Sequence, residues 1–339
     1  MVTIKQVAEK SGYSQATVSR LLKGDTSLSI AEETRKTIIH TALAMGYDRS
    51  KIKTPIEQIA VLFWLTDQEE LQDLYFRQLR ISIEKYAKIN NMEITMLKHE
   101  EGIEQLPKNS SGFIGIGSFT SDEIRQLKTS CPNGVFLEIN PQPDLFDTVK
   151  PDTDHMTRKA IDYFIHKGYQ KIGFIGGAFF DPDTGSEEMD SRESAFRDYL
   201  LKKGLLNEKY IFSGGHFTVD QGYQLTSALI ASSDDDLPEA FFVASDTIAV
   251  GALQAFNEKG ILIPDRLELL SINDNEIAKF VSPPLTTFKI DVEEIAKTAI
   301  DMLVDQLIYP RKTTKTVLLG SELIVRKSFI PAAKDETSK

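Results

Sequence analysis

Two groups of side chains have types and spacing suited to recognition chemistry. In QATVSRLL (residues 15–22), Gln15, Ala16, Ser19 and Arg20 fall on one face of a short helical pattern, opposite Val18 and Leu21. Such a face can lie in a DNA major groove, where a guanidinium forked onto a guanine edge is worth about 1–3 kcal/mol of discrimination. The second group is dispersed: Glu138 in LEIN, Arg192 in DSRESAF, Ser245 and Asp246 in VASD, Asn273 and Asp274 in SIND. It combines acceptors with one forked donor, which is what a ligand with several hydroxyls requires. Each residue also has a structural alternative. Arg20 could sit in a solvated ion pair, Ser245 and Asp246 could cap a helix, and Asn273 and Asp274 could make a turn. Phe63, Trp64, Tyr75, Phe76 and Phe180 could stack on a sugar face or simply pack in a core.

The first group needs a small helical frame. Ile4, Val7 and Ala8 recur at helical intervals, Gly12 supplies a break, and Ser14 can cap the helix that carries Arg20. A third helix over residues 30–45, with Thr34, Ile38, Ile39, Ala42 and Met45 on one face and Gly46 at its end, completes a three-helix headpiece. Residues 1–53 hold nine Lys and Arg against five Asp and Glu, a net of +4, whereas the whole chain is −11 and the remainder therefore −15. Only the N-terminal segment suits a polyphosphate partner.

The second group needs strand ends. After the basic stretch DRSKIKTPIE, apolar runs at 59–65, 92–97, 112–116 and 135–139 alternate with helical patterns, the longest at 71–91. A second series follows, with strands at 171–176, around Tyr210, at 241–245 and at 267–272, and helices at 155–167, 191–203, 219–231 and 247–258. This alternation predicts two successive open parallel sheets covered by helices, with ligands beyond the strands' C-terminal ends. The helix at 292–307 and the strands after it are expected to return to the first sheet.

With 339 residues, 41% of them hydrophobic, the chain has material for about two domains beyond the headpiece. It has no apolar run long enough for a membrane span, no signal-peptide pattern and one cysteine, Cys131, which together predict a soluble cytoplasmic protein. The five histidines lack ligand spacing, so neither metal nor cofactor is expected. The tail after Pro331 is small and polar and is expected to be disordered.

TIKQVAEKSGYSQATVSRLL, TRKTIIHTALAMGY, KGYQKIGFIGG, the SR..AF segment, FVASDTIAVGALQAFNEKGILIPD and SPPLTTFKI occur in one order from Thr3 to about Ser328. In that order they resemble the lactose-repressor/galactose-repressor family of bacterial transcription regulators, and FIGG, FVASD and SIND resemble its galactoside-responsive branch. The resemblance implies a helix-turn-helix headpiece (1–50), a linker or degenerate hinge (51–58) and a periplasmic-binding-protein-like α/β body (59–330). Within the body, subdomain 1 is expected at about 59–153 plus 288–322 and subdomain 2 at about 154–287 plus 323–330. It further implies a homodimer on double-stranded operator DNA, controlled by a galactose-type sugar in the cleft of the body. By motif, Gln15, Ala16 and Arg20 take base-reading positions and Ser14, Thr17 and Ser19 lie nearer phosphates. Thr3, Thr34, Lys51 and Lys53 complete the DNA-binding set. Phe63, Tyr75, Phe76, Glu138, Arg192, Ser245 and Asn273 form the effector set.

Two departures matter. Ser245 and Asn273 stand where many members have Asn and Asp, which changes the hydroxyls that can be recognised. The linker lacks the family's YxPNxxAxxL pattern, with Ser50 and Lys53 in place of Asn and Ala, so minor-groove wedging falls to Ile52 or is absent. A transport-type sugar-binding protein would share the body but not the headpiece. A dinucleotide-binding enzyme is suggested by GFIGIGSF and IGFIGGAF, yet neither has the full GxGxxG spacing with a following ribose-binding acid. No heptad run for a tetramer-forming coiled coil is present.

Overall fold

The structure is a computed structural model that describes residues 2–25, 27–48, 51–54, 57–65, 74–232 and 236–332. Ser50 and most of the polar tail lie outside the described residues.

The headpiece forms as its spacing dictates. Helix α1 (Ile4–Ser11) opens on a capping box in which Thr3 accepts from the Gln6 amide while the Gln6 side chain accepts from Thr3. Gly12, at φ 77°, takes the left-handed conformation that stops it. Helix α2 (Gln15–Leu22) is capped by Ser14, whose hydroxyl accepts from the Thr17 amide at 3.1 Å. Helix α3 (Glu32–Ala44) covers both. Val7, Val18, Ile38 and Ala42 are fully buried among them, each large one contributing about 1.5–3 kcal/mol.

Residues 51–54, expected as linker, are instead bound to the headpiece. Ile52 is fully buried in its core. The Lys53 amide donates to the Leu22 carbonyl at 2.8 Å, and the Thr54 hydroxyl donates to the Leu21 carbonyl. The physical reason is that the last carbonyls of α2 have no partner within the helix, and this segment supplies two donors.

The body contains two six-stranded sheets, each belonging to its own compact unit. The first unit holds the N-terminal segment, Phe76–Lys150 and Val292–Val317; the second holds Tyr75, Pro151–Asp291 and the chain from Leu318 onward. In the first, β1 (Glu57–Trp64), β2 (Met92–Lys98), β3 (Gly112–Gly117), β4 (Gly134–Leu137) and β5 (Asp147–Pro151) run parallel in the order β5-β4-β3-β1-β2. Helices α4 (Leu74–Ile89), α5 (Ser121–Ser130) and α10 (Val292–Ile308) belong to this part of the chain, and β13 (Thr316–Leu319) adds the far edge.

The second sheet repeats the plan. Strands β6 (Ile172–Gly176), β9 (Ile211–Ser213), β10 (Ala240–Val243), β11 (Glu268–Asn273) and β12 (Thr286–Lys289) are parallel in the order β12-β11-β10-β6-β9. Helices α6 (Thr153–His166), α7 (Ser191–Lys203), α8 (Val219–Ser232) and α9 (Asp246–Glu258) alternate with them, and a hairpin, β7 (Phe179–Phe180) with β8 (Glu187–Glu188), follows β6.

Two expectations are corrected. Strands β5 and β12 were not anticipated, because DTVKP and TTFK carry no apolar run. The strands after the last helix do not both return to the first sheet, since β14 (Glu322–Ile324) pairs antiparallel with β12 in the second. Crossings between units fall at Tyr75/Phe76, Lys150/Pro151, Asp291/Val292 and Val317/Leu318. Among the described residues no helix is long and apolar enough to cross a membrane.

The glycine-rich strands are a packing device. A Cβ on Gly173 would lie 2.2 Å from the Phe241 ring, and one on Gly115 would lie 2.6 Å from Phe136. Those glycines make room for phenylalanines of the neighbouring strands, which accounts for them without any dinucleotide.

Candidate functional site

In α2, Gln15, Ala16 and Arg20 are exposed, and Ser19 and Thr17 half-buried, while Val18, Leu21 and Leu22 face the core. Thr3 and Ser14 serve as helix caps, and Ser14 also hydrogen-bonds the Thr17 hydroxyl at 2.8 Å. Thr34 is half-buried on α3. Lys51 and Lys53 are exposed, with Lys51 3.5 Å from Asp48. The side chain of Ile52 is inside the headpiece and is not presented as a wedge.

Arg20 is in the ion pair weighed as its structural alternative: Nε donates to Asp25 Oδ2 at 2.7 Å and Nη2 to the Ser27 hydroxyl at 3.0 Å. It remains half exposed, with side-chain accessibility of 48%.

In the second unit, the expected effector residues Arg192 and Ser245 meet at the end of β10, and Asn273 ends the neighbouring strand β11. The strand order reverses between β6 and β10, and the crevice beyond such a switch point is where open α/β sheets take ligands. The Arg192 side chain, from the first turn of α7, reaches Ala244 at the end of β10, where Nη1 donates to the carbonyl at 2.8 Å. Asp190 caps α7 and grips the same guanidinium through Nε at 2.6 Å and Nη2 at 2.8 Å. The ring centroid of Phe217, on the loop after β9, lies 4.3 Å from the guanidinium carbon. Burial would raise the Asp190 pKa, but the charge and hydrogen bonds of Arg192 outweigh it and hold the carboxyl below its ordinary value.

Ser245 is next to that carbonyl. Its hydroxyl accepts from the Ile248 amide at 3.2 Å, the helix-capping role weighed against ligand contact, and the residue is 2% exposed. Asp246 is fully buried; Ser271 donates to Oδ1, and the Asn275 amide donates to Oδ2 at 2.8 Å. Burial pushes its carboxyl up to about 7. Asn273 and Asp274 follow at φ 118° and 56°. Arg326 holds Asp274 at 2.5 Å.

Of the other expected effector residues, Phe63, Phe76 and Glu138 belong to the first unit and Tyr75 to the second. Phe63 and Tyr75 are buried at 5% exposure each, and Phe76 is half-buried. Trp64 belongs to the core: its ring stacks on Phe119 with centroids 5.0 Å apart, and its indole donates to Glu123 at 2.6 Å. Glu138 is half-buried just after β4 at φ 65°. Among the described residues, the non-glycine positions with positive φ are Asn91, Glu138, Asn273 and Asp274, so three of the four fall at or beside candidate effector positions. Strained backbone is concentrated at functional sites because it persists only where surrounding contacts over-determine it. Phe180, on the hairpin, stacks on His216 with centroids 4.4 Å apart.

Asp190, Phe217 and Asp25 are not among the residues that type and spacing single out. Asp190 had a signal, because Asp two residues before Arg at a helix start can both cap and pair. Phe217 and Asp25 had none, since their roles depend on chain reversal.

A three-helix DNA-reading headpiece joined to two doubly wound α/β units, one with a forked donor at its switch point, defines a ligand-responsive transcription regulator. Residues 3–50 match the model of bacterial regulatory proteins of the lacI family, and residues 161–329 that of a periplasmic binding protein-like domain. The chain is 48% identical over 329 residues to the transcriptional regulator GanR of Bacillus subtilis, covering 97% of this chain and 100% of that one. It is 41% identical to LacR of Lactobacillus helveticus, covering 98% and 100%, and 34% identical to GalR of Lacticaseibacillus casei, covering 97% and 100%. In fold it is similar to the transcriptional regulator CelR in complex with cellobiose (TM-score 0.69, 20% identity, 97% and 100% covered). It is also similar to the Lac repressor bound to ONPG in its repressed state (TM-score 0.70, 21% identity, 97% and 99% covered). The chain belongs to the lacI family of bacterial regulatory proteins, in the branch of GanR, LacR and GalR, and is a DNA-binding regulator rather than an enzyme.

Proposed function

We propose that this chain is a sequence-specific repressor of a sugar-utilisation operon, acting as a homodimer whose operator affinity is changed by a galactose-type sugar. The observation that carries the sugar reading is the placement of Arg192 at the β6/β10 switch point, held in one orientation by Asp190 and the Ala244 carbonyl and lying over Phe217. A fixed guanidinium beside an aromatic face suits a ring that carries hydroxyls on its edge and C–H groups on its face. Asn273 is the adjoining polar contact, and Ser245 contributes by fixing the strand end. Glu138, Phe63 and Phe76 are the candidates in the first unit, and Tyr75 is a further candidate in the second. Gln15, Ala16 and Arg20 read bases, with Thr3, Ser14, Thr17, Ser19, Thr34, Lys51 and Lys53 toward phosphates. The sugar shifts operator affinity by as much as it prefers one conformation of the body, typically about 1–3 kcal/mol.

The test is the melting temperature of the purified protein against galactose, lactose, other β-galactosides, raffinose, glucose and purines, since a ligand of the native state must raise it. A selective rise with galactose-containing sugars supports the proposal. A rise only with another sugar, or only with sugar phosphates added to the panel, identifies a regulator with a different effector, consistent with Ser245 and Asn273 departing from the common pattern.

A further inference from the structure

The headpiece carries a carboxylate that its function does not obviously call for. Asp25 follows the recognition helix in a basic segment meant to approach phosphates, where an unneutralised acid would be repelled. Its placement is nevertheless closely determined. The Asp25 amide donates to the Arg20 carbonyl at 3.0 Å, which brings its carboxylate alongside the Arg20 side chain. Oδ1 accepts from the Ser27 amide at 2.9 Å and the Ser27 hydroxyl at 2.6 Å, while Oδ2 accepts from Arg20 Nε at 2.7 Å. The Ser27 oxygen in turn accepts from Arg20 Nη2 at 3.0 Å.

We infer that Asp25 and Ser27 are positioning residues for base reading: they grip the Nε/Nη2 side of Arg20 and so present the guanidinium's opposite, end-on edge to the DNA. The inference rests on the reading of Arg20 as the base-contacting residue. A planar guanidinium held on one side has one fork left to offer, Nη1 with the second N–H of Nη2, and that fork matches the two acceptors of a guanine. An unheld arginine samples many rotamers and loses that entropy when it binds; the clamp removes part of the cost beforehand. The Ser27 hydrogen bonds and then those of Arg20 hold the Asp25 carboxyl down to about 2, so the grip is ionised throughout the physiological range.

The experiment is selection of bound duplexes from a randomised pool, followed by sequencing, with the full-length chain and its Arg20→Ala, Asp25→Asn, Ser27→Ala and Arg20→Ala/Asp25→Asn variants. Asn keeps an acceptor for the Ser27 turn while removing the charged grip, and circular dichroism melting verifies that each variant folds. Arg20→Ala should erase the preference at one base pair per half-site. Asp25→Asn should weaken that same preference about tenfold, leave the other positions unchanged, and add nothing in the Arg20→Ala background. Undiminished selectivity in Asp25→Asn, or uniformly tighter binding to all duplexes, overturns the clamp and makes Asp25 a mere screen of Arg20. An unchanged preference in Arg20→Ala instead overturns the assignment of Arg20 itself, so the two failures are distinguishable.

Discussion

Asp190 holds Arg192 through two parallel hydrogen bonds, Nε to Oδ1 at 2.6 Å and Nη2 to Oδ2 at 2.8 Å, with both side chains largely buried. The pair orients the donor at the switch point of the second sheet and also ties the start of α7 to the end of β10.

Removing one partner of such a pair strands the other. Arg192→Ala should abolish any sugar-induced rise in melting temperature and lower folding stability on the order of 3 kcal/mol, because the Asp190 carboxylate is left buried without its counter-charge. Urea unfolding measures the second effect. A ligand response that survives the substitution would place the effector contacts elsewhere.

Arg20→Ala should remove about 1–3 kcal/mol of discrimination per half-site between the best operator and random DNA, while sugar binding is untouched. Competition binding at fixed salt checks this.

Asp246 gives a pH dependence of unusual sign. Its carboxyl titrates near 7 in the folded chain against 3.8 for the ordinary side chain, because burial disfavours the charged form. The folded state therefore binds the proton more tightly, and this residue's contribution to stability is full below about pH 4 and declines as pH rises toward 7. Asp246→Asn should flatten the stability–pH curve over that window relative to the parent. Identical slopes in the two proteins would show that Asp246 does not titrate there.

Ile52 belongs energetically to the headpiece. Ile52→Ala should destabilise it by about 2–4 kcal/mol, seen as a lower-melting first transition and weaker operator binding, since a fully buried side chain is truncated. No change in that transition would mean that the segment 51–54 detaches in solution.

Lys51 and Lys53 remain exposed beside this buried residue. Lys53→Ala should reduce the slope of log K against log salt by about 0.9 per protomer, about 1.8 for the dimer, if each ammonium neutralises one phosphate. An unaltered slope removes Lys53 from the DNA contacts.

Residue order alone determined whatever depends on near neighbours. The headpiece was legible because Thr3, Gly12 and Ser14 act on backbone groups within four residues of themselves, and a 3.6-residue period needs no partner to be recognised. The alternation of apolar strands with helices disclosed two doubly wound sheets for the same reason. Tertiary structure decided what depends on distant segments. Strand β5 escaped detection because Asp147, 1% exposed, looks like a loop residue until Arg311, Gln306 and the Lys315 amide converge on it. Ile52 looked like linker until Leu21 and Leu22 supplied carbonyls for the residues that follow it. Arg192 was identifiable as a donor, but its aim was set by Ala244, 52 positions away. Local signals fix the elements that carry an apolar period, whereas strands without one, the pairing of buried charges and orphan backbone groups are settled only when the chain closes on itself, since each must find a partner and sequence distance places no limit on where that partner lies.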